Sequence, residues 1–296
     1  MDPHLLRTFV AVARLGSFSA AARELGYTQS AVSQHIAALE HDLGAPLLGR
    51  RPVAPTPVGA RLLEHAGPLL LRLDAARADI ARLTSAPTDR LAIGATPLGA
   101  AELPGALAAV RRAHPGLVVT VRVLGRESVA REVATGALDV GLVDGMAAPT
   151  DPLHMGEATP LTSARVTEQP LAVALPAGHP LAGRPGLRLA DLTDAQWIDA
   201  PDTGIPLAQL RRAVGGDGFR PALRYKGDDV RALVGLAAAG HGLTVLPTPA
   251  LEGMAGVTAV PVGQPRVVHR TETLHAARTG DTAAELVAAL TAAVAG

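Results

Sequence analysis

Residues 28–34 read TQSAVSQ. Gln29, Ser30, Ser33 and Gln34 bring amide and hydroxyl groups that both donate and accept hydrogen bonds, and none is charged. Base edges in the major groove of DNA present a donor/acceptor code to groups of this kind. The spacing predicts a helix that can display them. Val32, Ile36 and Leu39 follow at intervals of four and three and share one face. At about 100° per residue, Ser30, Gln34 and Ala37 point the other way, with Gln29 and Ser33 on the flanks. Thr28 is the expected N-cap, its side-chain oxygen accepting an orphan N–H of the first turn. Upstream, Ala21, Ala22 and Leu25 form a short apolar stripe, and Gly26–Tyr27 make the turn between two helices. The same spacing also describes any amphipathic helical hairpin whose polar side faces solvent.

Other chemistries lack their residues. There is no G-x-S-x-G nucleophile elbow and no phosphate-binding P-loop. Gly240-His241-Gly242 has no third glycine and precedes a predicted strand, where a dinucleotide site needs it before a helix. Zero cysteines exclude disulfides, thiolate metal sites and a cysteine nucleophile. The ten histidines are scattered, and His35 and His41 lie six apart, not the three or four that align two ligands on a helix. The chain is expected to be no enzyme, with no catalytic residue, metal or cofactor.

With 296 residues the chain has room for two or three domains. Hydrophobic content is 48%, but one Trp, two Tyr and three Phe leave the cores to aliphatic side chains. No run of 18 apolar residues occurs, and the start MDPHLLRTFVAVARLG has no signal-peptide layout, so no membrane partner and a cytoplasmic location are expected. Net charge is zero. Residues 1–60 hold five Arg (7, 14, 23, 50, 51) against four acids (2, 24, 40, 42), or +1, so any phosphate attraction must be local.

Leu5, Leu6, Phe9, Val10 and Ala13 predict an amphipathic first helix ending near Gly16, to pack on the helical pair. Ala45–Thr56 is irregular, with three prolines and Arg50–Arg51. Thr56 and Pro57 then fit the N-cap and first position of a long helix. Leu62, Ala66, Leu69, Leu73, Ala76, Ile80 and Leu83 repeat at 4, 3, 4, 3, 4, 3, a heptad seam narrower than a core stripe, which argues for pairing with a second copy. Pro68 removes one backbone donor inside it and predicts a kink. After Ser85–Thr88 the texture turns to alternating strands and helices. Strands are expected at Leu91–Ala95, Leu117–Leu124, Leu138–Val143, Leu171–Leu175, Gly242–Leu246 and Val267–Ala277. Helices are expected up to Arg112 and at Ser128–Thr135, Leu207–Val214, Val230–Ala239 and Thr282–Val294.

From Ala20 to Leu48 the string A-A-A-x-x-L-x-x-x-Q-S-A-V-S-x-x-I-x-x-L-E-x-x-L-G-x-x-L-L closely resembles the winged helix-turn-helix of LysR-type transcriptional regulators. LPAGHPLA (175–182) and LVGLAAAGHGLTVLP (233–247) resemble the effector domain of the same family, which is similar to periplasmic solute-binding proteins. The resemblance implies a multi-domain chain: an all-α winged helix-turn-helix (1–58), a linker and dimerisation helix (59–88), and a two-lobed α/β effector domain (89–296). Lobe I would take 89–165 and 266–296 and lobe II 166–265, the last strand and helix returning to lobe I. It also implies a homodimer, commonly a tetramer, on dyad-symmetric double-stranded DNA, and a small-molecule inducer between the lobes. Thr28, Gln29, Ser30, Ser33 and Gln34 are the expected DNA contacts, with Arg50 and Arg51 of the wing on phosphates. Here Leu48 stands where Phe is common, and the segment from Arg50 to Thr56 is about two residues short. The alternative is a cytoplasmic solute-binding protein or enzyme whose helical head binds protein.

In open α/β folds, ligands sit beyond the carboxyl ends of strands and at helix N-termini. That rule selects Thr96, Pro97 and Arg126 in the first lobe and Thr203, Ile205 and Asp228 at equivalent turns of the second. Arg126 could hold a carboxylate or phosphate bidentately. The plainer readings are a helix-cap hydroxyl for Thr96, a surface salt bridge for Arg126, and helix caps for Asp228 and Asp229.

Overall fold

The computed structural model describes residues 1–49, 51–84, 90–153, 161–277 and 279–292, the side chains of 79 and 81–84 excepted. Contacts divide it into two units, Met1–Ile80 and Ala81–Gly296.

The first unit holds helices α1 (Pro3–Leu15), α2 (Phe18–Leu25), α3 (Gln29–Leu43) and the start of α4 (Pro57–Thr84). Each of the first three opens on a side-chain cap: Asp2 accepts from His4, Ser17 from Ala20 and Thr28 from Ala31. Gly26, at φ +71°, ends α2 in the left-handed conformation that lets α3 depart at an angle. Phe9, Val12, Ala21, Val32, Ile36 and Leu39 close one aliphatic core with Leu47 and Leu48. Among the described residues the wing holds one antiparallel bridge, Leu48 to Pro55, flanked by Gly49 N–H to the Ala54 carbonyl at 2.8 Å. The Glu40 carboxylate fixes its base by accepting the N–H groups of Leu47 (2.7 Å) and Leu48 (3.2 Å). Thr56 joins wing to helix: its hydroxyl donates to the Pro46 carbonyl (2.7 Å) and accepts from Gly59 N–H (3.0 Å).

The expected seam along α4 is divided. Ala66 has no exposed surface and, with half-buried Leu62, packs into the core of its own head. Ala66 is therefore not available to a second copy. Leu69, Ala76 and Ile80 are exposed, Leu73 is half-buried, and the Leu83 side chain lies outside the described residues. The heptad spacing records a change of surroundings: Leu62 and Ala66 pack into their own head, Leu69 and Ala76 are exposed, and between them Asp74 still pairs with Arg7 of α1.

The second unit is α/β, in the order β1 (Arg90–Ala95), α5 (Leu103–Ala113), β2 (Val118–Val123), α6 (Arg126–Ala134), β3 (Val140–Ala147), β4 (Leu161–Pro176), β5 (Leu187–Arg188), β6 (Trp197–Asp199), α7 (Leu207–Val214), β7 (Pro221–Arg224), α8 (Val230–Ala238), β8 (Thr244–Pro247), α9 (Thr248–Leu251), β9 (Val257–Gln264), β10 (Val268–Ala276) and α10 (Asp281–Ala292). One sheet runs β2-β1-β3-β10-β4-β9-β5, with β8 also on β4. The first half of β4 pairs antiparallel with β10, and Ala172–Ala174 pair with both β8 and β9. Leu286 and Leu290 of α10 pack with Leu103 and Val110 of α5, while Trp197, Phe219, Leu207 and Leu210 anchor a separate core. Strands β5, β6, β7 and β9 escaped the sequence reading, as did the first half of β4. Most are two to four residues long, and Pro261 and Gly263 interrupt the pattern of β9.

Gly59 marks the tightest approach within the head. A Cβ there would lie 2.0 Å from the Leu47 carbonyl oxygen, a backbone atom that cannot swing aside. Gly59→Ala is expected to destabilise the first unit by about 1–3 kcal/mol, read as a lower urea midpoint at unchanged slope.

Candidate functional site

Two surfaces carry candidate chemistry. On the head, Val32, Ile36 and Leu39 are buried and Thr28, Gln29, Ser30, Ser33, Gln34 and Ala37 are exposed, so the donor–acceptor face of α3 is free. The Thr28 and Ser30 hydroxyls lie 2.9 Å apart, joining the cap to the first turn. Arg51 is exposed in the wing, and Arg50 lies outside the described residues.

In the second unit, the cleft between the lobes holds a cavity of about 340 Å³. Arg126 of α6, Met146 and Asp151 at and after the end of β3, Gln209 and Arg212 of α7, and Arg266 of the β9–β10 crossing are among its lining residues. The charged residues of this lining are three arginines and one aspartate. The lobes touch across this cleft. The Gln209 amide oxygen accepts the Met146 N–H at 3.0 Å. The Asp202 side chain leaves no room for a Cβ on Gly125.

Behind Arg126 sits a buried polar cluster. Its guanidinium covers Gly145, where a Cβ would meet Nη2 at 2.5 Å, and its Nε has no partner among the described residues. Burial lowers its pKa from the ordinary value, against the opposing pull of Asp144 and Glu127. Asp144 is 4% exposed and lies 2.8 Å from His269 Nε2. Burial by itself raises the Asp144 pKa. The hydrogen bond and attraction of His269, the charge of Arg126 and the Thr96 hydroxyl outweigh it and hold the carboxyl below its usual range.

Most of the ligand residues expected from turns are elsewhere. Thr96 is buried. Its hydroxyl is spent on Asp144 and on the Gly99 N–H (3.3 Å), and α5 begins only at Leu103, after a 3₁₀ turn at Gly99–Glu102. No α-helix N-terminus therefore opens at Thr96–Pro97, and half-buried Pro97 does not line the cavity. Thr203 is buried and donates to the Gly227 carbonyl. Ile205 belongs to the core around Trp197, and its N–H is bound to the Val245 carbonyl at 3.2 Å. Asp229, not Asp228, caps α8 by accepting from Arg231 (2.8 Å) and Ala232 (3.3 Å); Asp228 is exposed and outside the cavity. Of the six, Arg126 alone lines the cavity, as the first residue of α6. Gln209, Arg212 and Arg266 were missed. For the first two a signal existed: with Leu207 and Leu210 buried, Gln209 and Arg212 fall together on the other face of α7.

A helix-turn-helix head followed by a two-lobed α/β effector domain defines a ligand-responsive DNA-binding regulator. Residues 3–60 match the model of the bacterial regulatory helix-turn-helix protein, lysR family, and residues 84–295 match the LysR substrate binding domain. The chain belongs to the LysR family of transcription regulators, which bind DNA, and it is not an enzyme. It is 34% identical over 246 residues to the small neutral protease regulatory protein of Streptomyces coelicolor, covering 81% of this chain and 71% of that one. It is 29% identical over 245 residues to the regulator CysL of Bacillus subtilis, covering 82% and 79%. Among solved structures, full-length BenM aligns over 100% of this chain and 97% of its own, with a TM-score of 0.54 and 25% identity. HinK of Pseudomonas aeruginosa shares the fold at a TM-score of 0.56 over 98% of each chain and 21% identity. No described helix is long and apolar enough to cross a membrane.

The depressed Asp144 pKa sets an acid dependence. The ionised carboxylate stabilises the folded chain fully above the unfolded value of about 3.9, and the contribution is lost as pH falls through the lower folded value. Asp144→Asn is expected to remove this part of the acid limb, seen as a flatter fall of unfolding free energy below about pH 4 in denaturant titrations.

Proposed function

We propose that the chain is a one-component regulator that binds a dyad-symmetric operator as a homodimer or larger homo-oligomer and responds to a small anionic inducer held between its effector lobes. The exposed donor–acceptor face of α3 carries the DNA half of this reading. Gln29, Ser30, Ser33 and Gln34 contact base edges, while Thr28, Arg51 and Arg50 serve the phosphates, which position a head without specifying sequence. A dimer sets two such helices in successive major grooves about 34 Å apart. The exposed Leu69, Ala76 and Ile80 of α4 are the pairing surface. Work on the chromosome places the protein in the cytoplasm. The functional segments are a head at 1–58, a linker helix at 59–88, lobe I at 89–165 and 266–296, and lobe II at 166–265.

The inducer half rests on charge. Asp144 already offsets Arg126, whereas Arg212 and Arg266 have no ion-pair partner among the described residues. A carboxylate or phosphate between them gains charge-assisted hydrogen bonds in a partly desolvated cavity. It shifts the lobe equilibrium by its differential affinity for the two arrangements, and so alters the spacing of the heads.

Selection of bound genomic fragments identifies the operator, and the adjoining genes narrow the inducer. On that operator Gln29→Ala is expected to cost about 1–3 kcal/mol with little loss on random DNA, and equal losses on both in gel-shift titration refute a base contact. By calorimetry with the inducer so identified, Arg212→Ala and Arg266→Ala are each expected to weaken binding about 10- to 100-fold. Unchanged affinity in both variants removes the anion from the reading.

A further inference from the structure

Tyr27 is the one exposed aromatic ring among the six Trp, Tyr and Phe of the chain, and it stands immediately before the cap of α3. Its backbone is fixed by the turn, the N–H donating to the Ala22 carbonyl at 2.9 Å. Its ring packs against a neighbour as well. The His35 imidazole meets it edge-on, with centroids 5.2 Å apart and planes at 82°. His35 in turn is held from α1, where Thr8, a residue with no exposed surface, places its hydroxyl 3.0 Å from Nδ1. That hydroxyl also lies 2.9 Å from the His4 carbonyl, and when its hydrogen is donated there Nδ1 is the donor to Thr8. A chain of contacts from the buried side of α1 thus holds the orientation of a ring that is 43% exposed. The phenol hydroxyl at its outer end has no partner among the described residues.

A rigid exposed ring with a free hydroxyl costs little further entropy when it binds. Tyrosine hydroxyls are among the donors that proteins direct at DNA phosphates. We propose that Tyr27 donates its hydroxyl to a phosphate of the strand flanking the groove entered by α3, and that His35, set by Thr8, is the positioning residue for this contact. The inference rests on α3 being the helix that faces the groove. It assigns a contact to the turn itself, where the residues of α3 supply base edges and the wing supplies charge. The Tyr27 contact is independent of sequence and uncharged.

Both properties define the test, which needs no operator. Binding of the full-length chain to random-sequence duplex DNA is titrated over a salt series for wild type, Tyr27→Phe, His35→Ala and the double variant, with thermal midpoints as the folding control. Tyr27→Phe keeps the ring and its packing on His35 and loses only the hydroxyl. The expected result is a three- to tenfold weaker affinity, roughly what one neutral hydrogen bond supplies, at an unchanged log–log salt slope, because no counterion is released by a neutral donor. His35→Ala is expected to weaken binding in the wild-type background and to have no further effect when Tyr27 is already Phe. Wild-type affinity in Tyr27→Phe overturns the contact. A full His35→Ala loss in the Tyr27→Phe background overturns the positioning role. Should Gln29→Ala prove equally neutral on the selected operator, the groove assignment of α3 falls, a failure distinct from that of Tyr27.

Discussion

The backbone of β4 is the constraint on which the effector half of the molecule depends. Its sixteen residues bond first to β10 and then to β8 and β9, so one continuous strand serves both lobes. At Ala172–Ala174, where β4 is buried and paired on both sides, breaking it would leave polar groups unpaired at high cost. β4 and the Gln264–Val268 crossing carry the chain between the lobes. The cavity opens beside that crossing, where Arg266 belongs to the connection itself and Arg126 and Arg212 belong to the two sides.

The polar cluster behind the cavity shows why a cleft can keep a cation poised there. Arg126 is largely withdrawn from water, and an unpaired guanidinium there would carry a heavy desolvation cost. Asp144 offsets that cost, and His269 and Thr96 satisfy Asp144 in turn. The arrangement fixes the position of Arg126 without using all of its donors, since Nε remains without a protein partner among the described residues. Thr96 supports Asp144 and is not among the residues that line the cavity.

The head follows a different economy. Its caps and its aliphatic core specify three helices by local rules, and the Leu48–Pro55 bridge of the wing is held where Glu40 and Thr56 bond its base from the helices on either side. With little net charge in this segment, the α3 contacts proposed above would have to come from shape and hydrogen bonding more than from bulk attraction to phosphate.

What the sequence determined by itself is local and periodic: the caps at Thr28 and Thr56, the buried triad Val32, Ile36 and Leu39, the exposed polar face of α3, and the alternation that announces an α/β domain. These are set by interactions within a few residues, and period 3.6 writes them directly into the chain. Tertiary structure decided the partners. Ala66 and Ile80 occupy equivalent positions in the same heptad pattern, yet one is buried in its own head and the other is 63% exposed, because spacing records apolarity and not the identity of the neighbour. The cavity belongs to the same class. Arg126, Arg212 and Arg266 come together only when β4 and the crossing fold two lobes onto each other, and contacts over such separations leave no periodic trace in the sequence.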